Sequence, residues 1–272
     1  MNESTVSAIE GAGGQGIAAT SSGGELLPLD AAERAVVLKV RDSDTIRRHV
    51  FRRIERPDAD AYFAATLIAM QRSGQTTENE IDIGSAELKL YERAAVRVAG
   101  YGLSDGRDLM QLPNWKSRVP GGHRIRAVDF LIKVTISAGA ATQLIDPEYD
   151  VVSLDAIWSE GAIGGSMDWY RGLVHRFTPP TDAHWKKFNN FKTRSIAVGG
   201  SRAQKTIYPK LDGVLGSFYD ELVVSVGGYS FRGEPLADKA TVVAQMCPFH
   251  KIAAVAALFD KSQFDSHEEE VE

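Results

Sequence analysis

Cysteine is nearly missing from this sequence: Cys247 is the single one among 272 residues. One cysteine cannot form an internal disulfide bond, which excludes a disulfide-stapled secreted scaffold. Pro248 and a periodic apolar stretch follow it, so we interpret Cys247 as a small core residue rather than a reactive thiol. No apolar run reaches the ~20 residues that span a bilayer. The start, MNESTVSAIEGAGG, lacks the basic and apolar regions of a signal peptide. These absences predict a soluble, cytoplasmic protein.

Motifs for catalysis are also missing. The sequence has no GxSxG, no Walker loop and no Ser-x-x-Lys motif, and its 6 histidines form no HExxH-type metal set. Gly11, Gly13 and Gly16 match the glycine pattern of a dinucleotide-binding loop, but that site needs a strand before the glycines and a helix after them. Neither is predicted here. We therefore expect no enzyme, with no catalytic residues, no cofactor and no metal.

Positive charge is in the minority, since 31 basic residues face 36 acidic ones and the net charge is −5. This balance argues against general affinity for nucleic acid. The stretch 169–210 is an exception, because it is basic and carries several aromatic residues. Its candidate interaction residues are Arg171, Arg176, Lys186, Lys187 and Arg194.

A basic and aromatic stretch suits single-stranded nucleic acid, which needs phosphate contacts and base stacking. However, Trp185, Phe188 and Phe191 recur at the spacing of one helix face, as core residues do. We favour docking of this stretch against an acidic protein neighbour and keep nucleic-acid binding as an alternative.

The sequence repeats one of its own blocks. LYERAAVRVAGYGLSDGRDL at 90–109 returns as FYDELVVSVGGYSFRGEPL at 218–236. The candidate interaction residues of these blocks are four tyrosines: Tyr91 and Tyr101 correspond to Tyr219 and Tyr229. The alternative is that the tyrosines pack the cores of the two copies.

Other positions also recur. His123 corresponds to His250, and Glu92 corresponds to Asp220. The histidines could form a paired site, but we favour polar residues inherited at equivalent helix starts; the two acids are expected to face solvent. Ile54, Pro57 and Tyr62 correspond to Phe177, Pro180 and Trp185, with a spacing of 123 positions.

The order of predicted elements repeats as well. The first copy has strands at Ala35–Arg41 and Ile46–Ile54 with a turn at Asp42–Thr45, a helix after Pro57, a helix through Leu88 and Val98 to Gly100, and a helix at about 122–135. The second copy has strands at Val151–Trp158 and Trp169–Phe177 around a glycine-bearing loop, a helix after Pro180, a helix at Leu211–Val226, and a helix from Pro248.

We predict an α+β fold made by tandem duplication of a unit of one β-hairpin and about three helices. The first repeat unit is 31–140 and the second is 141–264. Residues 1–30 are rich in glycine and serine and are expected to form a flexible N-terminal arm. Residues 265–272 form an acidic, solvated tail.

The repeated block resembles phage tail assembly chaperones and related tail-morphogenesis proteins. In these proteins a helix ends in a valine–aromatic–glycine stretch, followed by an acidic or glycine turn and then by proline and a last helix. The matching pieces are Val96–Tyr101, Asp105-Gly106 and Pro120–Leu131, and again Val224–Tyr229, Arg232-Gly233 and Pro248–Leu258. Together they cover about a third of each unit.

The resemblance implies a non-enzymatic phage or prophage tail-morphogenesis protein, chaperone-like, whose partners are other phage tail or particle proteins. It implies a location in the cytoplasm of the bacterial host and no membrane partner. The duplication, the hairpins and the arm depart from the family. They leave a second possibility, a structural component of a phage-like particle that self-assembles through its N-terminal arm.

Overall fold

A computed structural model describes residues 26–39, 46–72, 83–137, 148–158, 168–192, 196–198, 205–207 and 211–260. Its class is α+β, as predicted. The strands are β1 Leu27–Pro28, β2 Glu33–Lys39, β3 Ile46–Arg52, β4 Ala95–Ala99, β5 Val134–Ile136, β6 Asp150–Trp158, β7 Asp168–Phe177, β8 Ile196–Val198, β9 Lys205–Ile207, β10 Val223–Gly227, β11 Tyr229–Phe231 and β12 Glu234–Pro235. The helices are α1 Arg56–Arg72, α2 Ile83–Ala94, α3 Trp115–Arg118, α4 Gly121–Ile132, α5 Asp182–Lys192, α6 Leu211–Leu222, α7 Lys239–Gln245 and α8 Pro248–Leu258. The predicted turn at Asp42–Thr45, the glycine-bearing loop at 160–167 and the acidic tail lie outside the described residues.

The N-terminal half, residues 31–140, contains an antiparallel sheet with the strand order β2-β3-β4. Its central strand places His49 opposite Val36 of β2 and Val98 of β4. The strands are rich in β-branched and aromatic residues, which pack well on a pleated surface. After β4 the backbone turns at Gly100, whose φ is +82° and where a Cβ atom would collide with the carbonyl oxygen of Ile46. Glycine is required at that position.

The C-terminal half, residues 141–264, supplies three strands of an antiparallel sheet with the order β10-β7-β6-β5, and β5 comes from the end of the N-terminal half. Here β7 is central and places His175 opposite Val152 of β6 and Val226 of β10. A bulge in β6 turns the buried Asp155 toward Ser137 Oγ and the Gly172 amide, which donate to its carboxylate at 2.6 and 3.0 Å. Two donors satisfy a carboxylate that would otherwise be buried at high cost.

The predicted C-terminal ends of the two long helices are wrong. The helix predicted to run to Gly100 stops at Ala94, and Ala95–Ala99 is strand β4. The helix predicted for Leu211–Val226 stops at Leu222, and Val223–Gly227 is strand β10. Valines lose side-chain freedom in a helix, and pairing with the central strand outweighs the helical spacing of the apolar residues. The predicted helix at 122–135 also ends early, and its last residues begin strand β5.

The apolar core has two clusters, and each includes residues from outside its own half. The cluster of the N-terminal half surrounds Phe51, Tyr91 and Val128 and also includes Phe249 of α8. The cluster of the C-terminal half surrounds Phe177, Tyr219 and Phe218 and also includes two leucines from the start of the described chain, Leu27 and Leu29. The halves are therefore packed against each other, and not simply tethered.

Residues 27–30 belong to the fold, although the predicted arm includes them. Strand β1 pairs in parallel with β11, and Leu27 and Leu29 are buried. The alternation of leucine in Leu27-Pro28-Leu29 is the pattern of a half-buried strand, which the surrounding glycine and serine residues obscure. The remainder of the predicted arm, residues 1–25, lies outside the described residues.

Direct contacts join the two halves at α1 and α8. The Arg53 guanidinium donates to the side-chain oxygen and to the carbonyl oxygen of Gln245, at 2.6 and 2.7 Å. The Tyr62 and Phe63 rings lie 5.5 and 5.6 Å from the Phe249 ring, centre to centre. Aromatic groups at this separation attract each other beyond the area they bury.

Asp58 anchors the start of α1. Its carboxylate is 2% exposed and accepts two hydrogen bonds from Arg52, one from Arg93 and one from the Glu55 amide. Burial alone would raise the pKa of Asp58, but the hydrogen bonds from Arg52, Glu55 and Arg93 outweigh it and lower the pKa to about 2.

We expect Asp58→Asn to lower the free energy of unfolding at pH 7 by about 2 kcal/mol, because the pKa falls from 3.8 in the unfolded state to about 2 on folding. A lowered folded-state pKa stabilises the protein above pH 3.8, and that stability disappears as the pH falls toward 2. Urea unfolding at several pH values measures it. Asp105→Asn removes an exposed carboxylate paired with Arg107 and is the control, expected to stay close to wild type. Equal losses for both variants would contradict this account.

Among the helices that the structure describes, no single one is long and apolar enough to cross a membrane. The bent pair α7 and α8, at 112° to each other, passes the same test of length and composition only when both are taken together.

Candidate interaction site

A buried network of hydrogen bonds joins four elements of the N-terminal half. The Nδ1 atom of His49, on β3, lies 2.9 Å from the Tyr91 hydroxyl oxygen on α2. The Nε2 atom of His49 lies 3.1 Å from the Tyr101 hydroxyl oxygen, which in turn lies 2.7 Å from Nδ1 of His123 on α4. We call these four residues the first Tyr–His network.

The C-terminal half contains the same arrangement. His175 on β7 bonds through Nδ1 to the Tyr219 hydroxyl on α6, at 2.9 Å, and through Nε2 to the Tyr229 hydroxyl, at 2.9 Å. The Tyr229 hydroxyl also lies 3.0 Å from Nδ1 of His250 on α8. These four residues form the second Tyr–His network, which uses the same atoms in the same order as the first.

The direction of hydrogen-bond donation in both networks follows from the tyrosine hydroxyl group at their inner end. Among the described residues, the Tyr91 hydroxyl has one hydrogen-bond partner, Nδ1 of His49, and a buried hydroxyl hydrogen needs an acceptor. Tyr91 therefore donates to Nδ1, and the neutral ring of His49 carries its hydrogen on Nε2. His49 then donates to Tyr101, and Tyr101 donates to Nδ1 of His123. The same argument orders the second network as Tyr219, His175, Tyr229 and His250.

Three histidines of the networks, His49, His175 and His250, are held neutral. Burial lowers the pKa of His49 to about 4, and nearby His123 lowers it further. Burial also lowers the pKa of His175 and of His250 to about 3, with smaller contributions from His250 and Arg34 respectively. Neutral rings are what the head-to-tail arrangement of donors requires. In the same way, burial raises the pKa of Tyr101 to about 12, so its hydroxyl stays protonated.

Each network acts as a brace, because its hydrogen bonds join a strand, two helices and the segment after β4 or β10. Tyr91, Tyr219 and Tyr229 are 0%, 0% and 1% exposed. These three tyrosines therefore present no surface to a partner, and the alternative interpretation, that they pack the cores, is correct for them. Tyr101 is half-exposed and is the one candidate tyrosine that reaches the surface.

The acids at matching helix positions are paired. Glu92 accepts a hydrogen bond from Arg124 at 3.0 Å, and Asp220 accepts one from Lys251 at 2.5 Å. Glu92 is exposed as expected, whereas Asp220 is half-buried. Arg124 and Lys251 each directly follow the histidine of their network, so α4 and α8 contact their neighbouring helices in the same way.

The basic candidates are spread over a strand and a helix. Arg171 and Arg176 lie on β7, exposed and half-buried respectively; Lys186 and Lys187 are exposed on α5; Arg194 lies outside the described residues. The aromatic residues of α5 are not available to stack on bases. Phe188 is buried in the C-terminal cluster, and Trp185 and Phe191 pack against it, as their spacing predicts.

A cleft of about 410 Å³ lies between the halves, bounded by α1, α6 and α8. Charged groups of both signs line it, and three of them already have partners: Arg53 bonds to Gln245, and Lys251 is paired with Asp220. In the part of the chain that the structure describes, no group of three or more His, Cys, Asp or Glu side chains could hold a metal ion. The half-buried Cys247 packs against the N-terminal cluster, and burial raises the pKa of its thiol.

Two residues of the networks, His49 and His175, escaped the sequence analysis. The signal was present, since each histidine lies in a predicted second strand, two residues before a phenylalanine, Phe51 or Phe177. The alignment of Ile54 with Phe177 hides it. In the structure the counterpart of Phe177 is Phe51: both are fully buried, and their rings lie 5.7 and 5.5 Å from Tyr219 and Tyr91. Shifting the alignment of the two halves by three residues aligns His49 with His175.

No family model, no curated protein and no solved structure matches this protein.

Proposed function

We propose that this protein is a non-enzymatic phage or prophage tail-morphogenesis protein, chaperone-like, which acts through contacts with other tail proteins. We infer that it arose by tandem duplication of a unit with one β-hairpin and about three helices. The observation that supports the duplication is the second Tyr–His network, which repeats the first through the same atoms. The tail-morphogenesis role rests on the resemblance of the repeated block, and the use of the shared tyrosines and histidines in hydrogen bonds within the fold supports a function at the surface.

The burial and the protonation state of the histidines in the networks favour a binding role over an enzymatic one. Catalysis usually needs a group that can donate or accept a proton near neutral pH, placed where substrate can reach it. The histidines with the most perturbed pKa values, His175 and His250, are 0% and 3% exposed and are neutral. Burial of this kind supports a structural role.

A structural component of a phage-like particle is the second candidate. The observation in its favour is the position of β1, which fixes the chain against the C-terminal half immediately after residues 1–25. An arm that starts from a fixed point can contact a neighbouring subunit and become ordered there. Nucleic-acid binding through 169–210 is the third candidate, and the packing of Phe188 in the core counts against it.

Light scattering coupled to size-exclusion chromatography distinguishes the first two candidates. The protein is compared with a version that starts at residue 26, which keeps Leu27 and Leu29 in the core. We expect a monomer in both cases. Large oligomers that dissociate when residues 1–25 are removed would instead favour the particle component.

Co-expression tests the chaperone role itself. The protein is produced with each tail protein encoded beside it in the same phage or prophage, and the soluble yield of each tail protein is measured with and without it. We expect at least one tail protein to become soluble only in its presence. If the protein is monomeric and no tail protein changes its solubility or co-purifies, the proposed function is wrong.

A further inference from the structure

The C-terminal half holds an extended segment on its β11–β12 hairpin. Strand β1 lies parallel to β11, with the Leu27 and Leu29 amides donating to the carbonyl oxygens of Gly228 and Ser230, both at 2.9 Å. The segment ends in Asp30, whose carboxylate accepts from the Arg232 amide at 2.9 Å. The pattern that this edge binds therefore has four positions: an apolar residue, any residue, a second apolar residue and an aspartate.

The N-terminal half has a matching hairpin at residues 101–108. The Leu109 amide donates to the carbonyl of Tyr101 at 3.3 Å, as the Leu236 amide does to the carbonyl of Tyr229 at 3.0 Å. Gly102 is bridged to Asp108, as Ser230 is to Pro235. In an antiparallel pair of this register the amide and carbonyl of the bridged residue point away from the partner strand. The backbone of Gly102 therefore faces outward, on the side that β1 covers in the other half.

Among the residues that the structure describes, none pairs with this outer edge in the N-terminal half. Gly102 is exposed and Tyr101 and Leu103 are half-exposed, whereas the counterparts Tyr229 and Ser230 are buried. Within the described ranges, no backbone amide donates to the carbonyl of Gly100 or of Gly102. An unpaired strand edge is a template for another strand.

We propose that the edge formed by Gly100–Leu103 binds an extended segment of a partner protein, in parallel, with apolar residues at two alternate positions followed by an aspartate. Backbone bonds to the carbonyls of Gly100 and Gly102 hold the segment, as in β-strand addition generally. Its apolar side chains cover Tyr101 and Leu103, which already pack against the N-terminal cluster. This edge supplies a surface for the protein–protein contacts of the proposed function, and its assignment to a partner protein rests on that function.

One positive charge at this edge favours an acidic residue in the partner. The Arg47 guanidinium lies 5.0 Å from the centre of the Tyr101 ring, whereas the exposed Arg107 of the hairpin is paired with Asp105 and would have to exchange that partner. An aspartate at the end of the bound segment would meet this charge and the amides of the turn, as Asp30 meets the turn at Arg232.

A peptide with the sequence Leu-Leu-Pro-Leu-Asp-Ala, that of residues 26–31, is the probe. Its binding to the full protein is followed by fluorescence anisotropy and by NMR amide shifts. We expect saturable binding at one site, with shifts at Gly100–Leu103 and not at Tyr229–Phe231.

Gly102→Pro removes the amide at the centre of the edge and is expected to weaken binding by a factor of ten or more, about 1.4 kcal/mol. Leu103→Asp, which leaves the backbone intact, is expected to weaken it similarly and replaces Gly102→Pro if that variant does not fold.

Two peptide controls define the pattern: one with aspartate in place of both alternate leucines and one with lysine in place of the aspartate. Both should bind more weakly. The proposal is overturned if the first peptide does not bind, if binding survives both protein variants, or if the shifts fall at Tyr229–Phe231, which would mean exchange with β1.

Other occupants of the edge would also overturn the proposal. Residues 143–146, Gln-Leu-Ile-Asp, precede strand β6 in the sequence as Leu27–Asp30 precede strand β2. Binding that appears only after they are replaced by Gly-Ser-Gly-Ser would assign the edge to this same protein. A dimer that Leu103→Asp dissociates would assign it to a second copy. The tail-protein co-expression experiment is independent of these results, so the edge can fail while the proposed function stands.

Discussion

Tyr229→Phe is expected to lower the free energy of unfolding by about 2–6 kcal/mol, whereas Tyr101→Phe should cost about 1 kcal/mol. The removed hydroxyl of Tyr229 accepts from Nε2 of His175 and donates to Nδ1 of His250. Without it, a donor and an acceptor are left unpaired at sites that are 0% and 3% exposed. Each buried unpaired group costs about 1–3 kcal/mol.

Tyr101→Phe is the matched control, because Tyr101 has the same two partners in the first network. Tyr101 and His123 are half-exposed, so water can reach the vacated position and replace the lost hydrogen bonds. The comparison therefore varies burial and keeps the chemistry fixed. Urea unfolding of the two variants and the wild type measures both costs. Equal costs, or a larger one at Tyr101, would contradict the networks as described.

An alanine series separates packing from hydrogen bonding. Tyr229→Ala also removes a ring that is 1% exposed, and we expect the cost of deleting this large buried side chain, about 3–5 kcal/mol, to add to the loss seen for Tyr229→Phe when both variants are unfolded in urea.

Much of the architecture is visible in the sequence, because it depends on local patterns that occur twice. The hairpins β2–β3 and β6–β7 follow from alternating apolar residues, and the helix after each hairpin follows from its proline and acidic first turn. The recurrence of Tyr91 and Tyr101 as Tyr219 and Tyr229 identified half of the residues of the networks. It could not say that these rings face inward, because Tyr is polar at one end and apolar over most of its surface.

The parts that could not be predicted depend on residues far apart in the sequence. Strand β4 reads as the end of a helix until β3 is available to pair with it, and β1 reads as part of a flexible arm until β11 is placed beside it. The bond between His175 and Tyr229 spans 54 residues, so no local pattern announces it. Only the comparison of the two halves could have found the histidines, and a shift of three residues in that comparison was enough to hide them.

Acid should unfold this protein at a mild pH. His49, His175 and His250 have folded-state pKa values of about 4, about 3 and about 3, against 6.5 for an exposed histidine. Because burial lowers these values, the unfolded state binds more protons than the folded state below pH 6.5. The free energy of unfolding therefore falls as the pH decreases from 6.5, and it is unaffected by these groups above that value.

The slope of this loss is about 1.4 kcal/mol per pH unit for each histidine, or about 4 kcal/mol per unit for the three together. At pH 5 the protein is then about 6 kcal/mol less stable than at pH 8. That loss is comparable to the whole stability of many domains, about 5–15 kcal/mol. Urea unfolding between pH 8 and pH 5 measures the slope, and we expect an uptake of three protons on unfolding.

His250→Gln isolates one contribution. A glutamine side-chain oxygen can accept from Tyr229 as Nδ1 does, so the network keeps its inner bonds while one titrating group is lost. The variant should take up two protons on unfolding instead of three, which separates titration from any general loss of stability. NMR of the folded wild type supplies the second measurement: none of the three rings should titrate between pH 8 and pH 5. A ring among them that titrates near pH 6.5 while the fold is intact would show that its site is open to water, and the brace would then not be the closed network that the neutral tautomers require.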